Sequence, residues 1–161
     1  MATLQIVKLG DPILRRVCRP VGEITPKICQ LLDDMKETLK AANGVGLAAP
    51  QVGIMRRLCL VENDKGEVWE LINPRIIAQS QERQHELEGC LSLPQQWGVT
   101  DRPMSVTVLA LDRNGQEIQV SGTGLTARAL CHELDHLDGR LFSDHAKMLT
   151  PEEIRQSRLE D

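Results

Sequence analysis

Residues 131–139 read CHELDHLDG, in which His132 and His136 are four positions apart and Glu133 follows the first of them. On a helix turning about 100° per residue, the two imidazoles lie about 40° apart on one face, where both can reach a single cation. Glu133 is rotated off that face by about one residue. It can touch a water on the cation without being a ligand, which makes it a candidate general base. Two imidazoles do not complete a catalytic metal site, which usually takes three protein donors and keeps one position open. The competing reading is an ordinary helix in which HExxH arises by chance, with solvated charges and one core histidine.

A third donor must come from elsewhere in the chain, which holds two further histidines and five cysteines. The pattern HExxHxxGxxH holds through Gly139 and then fails, because Phe142 occupies the third-ligand position. A thermolysin-type site needs a glutamate on a following helix, and Glu152 and Glu153 read instead as first-turn charges of a terminal helix. His85 and His145 lie in polar stretches and read as solvated. Cys18, Cys29 and Cys59 sit among apolar residues, as inert thiols do. Cys131 points about 100° away from His132 and cannot share its cation. Cys90 lies in LEGCLSLP (87–94), where Gly89 permits close backbone approach and Pro94 ends the segment. Cys90 is therefore the chosen third ligand, against the alternative that it is one more core thiol.

A second candidate stretch is GVGLAA (44–49), which formally matches GxGxxA. A dinucleotide site would need a strand before it and a helix after it, whereas here a predicted helix precedes and Pro50 interrupts. No Gly-Lys-Ser/Thr ending makes it a phosphate loop. It reads either as a plain Gly-rich connection with an exposed Gln51, or as a bare backbone edge. In the second case Gly44 and Gly46 admit an extended peptide and Gln51 offers an amide to an oxyanion.

The elements that must position these residues follow from periodicity. Residues 25–44 predict a helix capped by Thr25, with Pro26 in its first turn and Gly44 at its end. Ile28, Leu31, Leu32, Met35 and Leu39 share one face of it. The stretches RRLCLVEN and EVWELINP predict short strands, and residues 105–122 alternate around Asn114-Gly115 as a hairpin. Residues 123–138 form the HExxH helix, stopped by Gly139. Leu125, Arg128 and Ala129 share the histidine side, and Leu130, Leu134 and Leu137 pack the opposite one. Thr150, Pro151 and Glu153 start a short terminal helix. The expected fold is α+β, one domain over residues 1–161, with short antiparallel sheets around a central HExxH helix, an N-terminal helix and a short C-terminal helix.

Composition narrows the partners. A formal net charge of −4 and 2% aromatic residues argue against direct nucleic-acid readout. Five cysteines without CxxC spacing, and an opening MATLQIVKLG that lacks a charged-then-apolar leader, predict a cytoplasmic protein with reduced thiols. No apolar run approaches the roughly 20 residues of a membrane span.

Taken together, GVGLAAPQ, EGCLS and HELDH, in this order and spacing, resemble the three signature motifs of bacterial peptide deformylase. The opening LQIVKLGDPILRRVCRPV and LINPRI also look like segments of that family, so the resemblance spans nearly the whole chain. It implies a metal-dependent hydrolase that removes the N-formyl group from the N-terminal formylmethionine of newly made proteins. In that reading a metal-bound water or hydroxide attacks, with Glu133 as general base and acid. By motif position, Cys90, His132 and His136 bind one divalent metal, Fe(II) in the cell, with zinc, nickel or cobalt also compatible. Gln51 and the Leu91 N–H serve the oxyanion, and Gly46 pairs with the peptide backbone. Val45, Leu125, Arg128 and Ala129 surround the methionine pocket. The implied partners are nascent formyl-Met polypeptides and a transient ribosome contact, with the protein a monomer. Two positions stand out from the usual pattern. Cys131 replaces a frequent glutamine, and Arg128 brings a cation to the pocket rim, which predicts a preference for acidic or polar residues after the methionine. The tail RQSRLED gives no support to ribosome docking by a long basic helix.

Overall fold

Thr25 accepts a hydrogen bond from the Ile28 N–H and Pro26 opens α1 (Pro26–Ala42), each residue in the place its chemistry favours. The helix ends differently from the expectation. Asn43, not Gly44, takes the left-handed conformation at φ 54°, and the Asn43 and Gly44 N–H groups return to the Lys40 and Leu39 carbonyls. Asparagine is among the few residues that tolerate that region. The computed structural model describes residues 2–160.

The chain continues through β1 (Gly46–Ala48), a 3₁₀ turn at Ala49–Val52, β2 (Leu58–Glu62), β3 (Val68–Gln79), β4 (Arg83–Cys90), β5 (Leu93–Pro103), β6 (Ser105–Leu111) and β7 (Glu117–Thr123). It then forms α2 (Leu125–Leu137), a 3₁₀ turn at Phe142–Asp144, β8 (Lys147–Met148) and α3 (Pro151–Glu160). Two antiparallel sheets result, one ordered β1-β2-β3-β6-β7 and the other β4-β5-β8. This is the α+β arrangement expected, with α2 packed against both sheets. Reciprocal hydrogen bonds between Thr150 and Glu153 start α3 as predicted.

The larger sheet is sandwiched between helices. Along β2 the side chains alternate: Leu58 and Leu60 join Leu32, Met35 and Leu39 of α1, while Cys59 and Val61 join Leu130, Leu134 and Leu137 of α2. Burial on both faces is why LCLV is a continuous apolar run rather than an alternating one.

Three expectations need correction. The Gly-rich stretch 44–49 is not a plain connection, since Gly46–Ala48 form an edge strand paired with Cys59–Val61. β3 does not stop at Pro74. Asn73 at φ 51° creates a bulge, its side-chain amide exchanges hydrogen bonds with the Val21 N–H and carbonyl at 2.8 Å each, and pairing with β6 resumes at Arg75. Nor does Pro94 end a segment. It lies exposed near the start of β5, and Cys90 closes β4 at the preceding turn.

The β4–β5 hairpin escaped the sequence reading because its inward residues are polar. Gln84, Glu88, Thr100 and Arg102 are all buried where alternating apolar residues would otherwise announce a strand. Among the described residues, no helix is long and apolar enough to cross a membrane.

Candidate metal centre

The buried far side of α2, with Leu130 and Leu137 fully enclosed, fixes the rotation that turns His132 and His136 the other way. The 3₁₀ turn after α2 brings Phe142 back under the first histidine, the two rings stacked at 5.7 Å. Phe142, which stands where a protease would carry a third histidine, is thus a packing residue with 1% exposure.

The end of β4 delivers Cys90 to the same point. Its Sγ lies 3.3 Å from His136 Nε2, and the donor atoms of Cys90, His132 and His136 all fall within 4.8 Å of one another. The chosen third ligand and both histidines therefore converge. A thiol and two imidazoles suit a divalent transition metal rather than magnesium or calcium, which prefer all-oxygen sites. Of the other thiols, Cys18 and Cys59 are buried, Cys29 is half-buried, and burial pushes the Cys131 thiol up to about 11. His85 is exposed beside Asp101, and His145 is partly exposed 3.6 Å from Asp135.

Glu88, which the sequence reading left without a role, orients the first imidazole. Its Oε2 accepts from His132 Nδ1 at 2.5 Å, so Nε2 is the nitrogen left for a metal. Thr100 Oγ1 donates to Glu88 Oε1 at 3.0 Å, and Arg102 donates from Nε and Nη2 to its two oxygens at 3.3 and 2.8 Å. Burial opposes ionisation of this carboxyl, but the His132 and Arg102 hydrogen bonds prevail and hold it down at about 2. The signal available in the sequence was a carboxylate two residues before Cys90, hence on the same face of a strand.

Glu133 is 4% exposed, and its Oε1 has no hydrogen-bond partner among the described residues. Burial pushes its carboxyl up to about 7, partly countered by the nearby His132. Gly46 makes room for it: a Cβ there would collide with Glu133 Oε2 and lie 2.9 Å from its Cγ. Gly44 likewise clears Leu91 and Leu39. Both glycines thus have an internal reason to lack a side chain. Gln51 is buried rather than exposed, so the plain-connection reading of its loop fails. Its Oε1 accepts from the Ala48 N–H at 2.9 Å, which aims Nε2 at Ser92 Oγ (3.1 Å) and Cys90 Sγ (3.6 Å).

These groups open onto one cavity of about 540 Å³. Val45, Gly46, Gln51, Cys90, Leu91, Leu125, Arg128, Ala129, His132 and Glu133 all line it, and His136 lies beneath with 1% exposure. Arg128 Nε and His136 Nδ1 are buried without a hydrogen-bond partner among the described residues. Lys8, Leu87 and Trp97 line the cavity as well, beyond the residues named from the sequence. The Trp97 ring covers Gly89, its cross-strand partner, where a Cβ would come within 2.5 Å of the indole. The close approach inferred at Gly89 is therefore real, and the neighbour is an aromatic side chain.

Residues 3–152 match the family described as Polypeptide deformylase. Among curated relatives, the peptide deformylase of Acetivibrio thermocellus is 49% identical over 161 residues, covering 100% of this chain and 94% of its own. That of Caldicellulosiruptor bescii is 46% identical over 159 residues, covering 98% and 95%. Among solved structures, the peptide deformylase from Ehrlichia chaffeensis in complex with actinonin superposes with a TM-score of 0.88 at 34% identity, covering 100% of this chain and 99% of that one. A K1U-bound class I type b enzyme from Acinetobacter baumannii gives a TM-score of 0.87 at 35% identity, covering 90% and 100%. With the three motifs meeting in one cavity and these likenesses running almost end to end, the chain belongs to the polypeptide deformylase family.

Proposed function

We propose that this chain is a metal-dependent deformylase that releases formate from the N-terminal formylmethionine of nascent polypeptides. The observation that carries the reading is the convergence of Cys90, His132 and His136 beside a buried, unpartnered Glu133 at the floor of one cavity. A divalent cation held by the thiolate and two imidazoles supplies Lewis acidity toward a carbonyl oxygen. Around it, Glu133 accepts a proton from the attacking water and returns it to the leaving amine. The Gln51 Nε2 group and the Leu91 N–H donate to the oxygen on which negative charge develops. The unpaired edge of β1 lets Gly46 hydrogen-bond to the substrate backbone, as an added strand would. Val45, Leu125 and Ala129 frame the methionine side chain. Arg128, with its buried Nε unpartnered, favours acidic or polar residues after it.

Iron(II) is the proposed cellular metal, and the same donors also suit zinc, nickel and cobalt. Action as a cytoplasmic monomer with at most transient ribosome contact belongs to the same proposal. The test measures metal content and formate release from formyl-Met-Ala-Ser, with formyl-Met-Asp-Ser beside it. Glu133→Ala should keep its metal and lose at least about 10²-fold in rate. Arg128→Ala should erase any advantage of the aspartyl peptide. A metal-loaded wild type that leaves the formyl group in place sinks the activity.

A further inference from the structure

Arg102 is 5% exposed, lines no part of the cavity and touches no donor atom, yet it joins the elements that supply the donors. Its Nε and Nη2 grip both oxygens of Glu88, and its Nη1 donates to Asp135 Oδ2 at 2.7 Å. Glu88 is two residues from Cys90 on β4, and Asp135 is the residue before His136 on α2. One guanidinium thus spans the strand that ends in the thiol and the helix that carries both imidazoles. These elements belong to different packing units: α2 lies in the core of the larger sheet, while Cys90 packs with Leu14, Leu93, Leu141 and Phe142. A lysine could keep the charge but not this fork, since a single ammonium cannot hold one carboxylate side-on and reach a second with fixed geometry.

We propose that Arg102 is a positioning residue that presets the separation of Cys90 from His132 and His136 before a cation arrives, and so sets divalent-metal affinity. The inference rests on the Cys-His-His metal reading and not on the identity of the substrate. The experiment loads wild type, R102M, R102K and D135N with cobalt(II). It measures the dissociation constant by chelator competition, the visible ligand-field and thiolate charge-transfer bands, and the melting temperature of the metal-free protein. R102M should raise the dissociation constant roughly 10- to 100-fold and change the cobalt bands. R102K and D135N should fall between it and wild type, D135N because it loosens only the arm to α2. Should R102M fail to fold, the two milder variants carry the test. Wild-type affinity and spectra in the folded variants, with only the melting temperature lowered, would overturn the proposal by reducing Arg102 to a structural role. Formate release is followed separately. A wild type that binds cobalt and depends on Arg102 in this way, yet releases no formate, sinks the activity reading alone.

Discussion

Two arginines in this molecule make the same figure in different surroundings. Arg113 bridges Glu70 of β3 and Asp33 of α1, as Arg102 bridges Glu88 of β4 and Asp135 of α2. Each ties a strand to a helix. The Arg113 side chain is 30% exposed, that of Arg102 only 6%. Water screens the outer clamp, so its ion pairs add little beyond the apolar contacts α1 already makes with Leu47, Leu58 and Leu60. The inner clamp is enclosed, and leaving one of its charges alone would be costly. The same residue types therefore serve as trim in one place and, in the role proposed for Arg102, as the frame of a metal site in the other.

The sharpest way to break this comparison is to neutralise one strand carboxylate in each clamp. Glu88→Gln leaves Arg102 with Asp135 as its one remaining carboxylate partner and puts a neutral amide where His132 Nδ1 met a carboxylate. It should cost about 3–5 kcal/mol in urea unfolding and weaken metal binding roughly 10- to 100-fold. A stable Glu88→Gln that binds metal normally would mean the inner clamp is as dispensable as the outer. Leu130→Ala separates packing from polar support on the same helix. A loss of about 3 kcal/mol is expected, with metal affinity of the folded protein unchanged. Gly46→Ala probes position alone, because the added methyl must displace Glu133. Turnover should fall about 10²-fold with metal content intact, and an active Gly46→Ala enzyme would show that Glu133 has room to move.

The smallest effect belongs to Glu70→Gln, about 1 kcal/mol at neutral pH. Burial raises the Glu70 carboxyl, but the hydrogen bonds from Arg113 and Lys36 outweigh it and bring the net value below the usual carboxylate range. A group depressed on folding contributes stability that is present above its unfolded value, about 4.3, and is lost as pH falls through the folded one. Wild type should therefore lose its advantage over Glu70→Gln on acidification, with the two converging below that window. Parallel pH–stability curves would contradict the assignment.

The same contrast explains what the sequence disclosed. The apolar half was readable: LCLV, the five-residue face of α1 and the leucines of α2 each follow the period of their element. His132, Glu133 and His136 were readable because helical spacing places them without help from the rest of the chain. Cys90 could be nominated but not fixed by spacing, since its position depends on a hairpin whose inward face is Gln84, Glu88, Thr100 and Arg102. Such residues look like a solvated stretch until a partner for each is known. Asn43 and Asn73 were missed for a smaller reason, as both spend a left-handed conformation that sequence habit assigns to glycine.

The hydrogen bond from His132 to Glu88 closes a span of 44 residues, and the contact of Cys90 with His136 one of 46. Contacts of such separation must meet the entropy of loop closure before they return any free energy. A chain leaving the ribosome has both sheets' strands through β7 available before the second histidine emerges. Capture of an ion by the proposed donors Cys90, His132 and His136 therefore waits for the last of them to emerge. With those three donors proposed for the ion, a chain that stops short of His136 holds an incomplete ligand set.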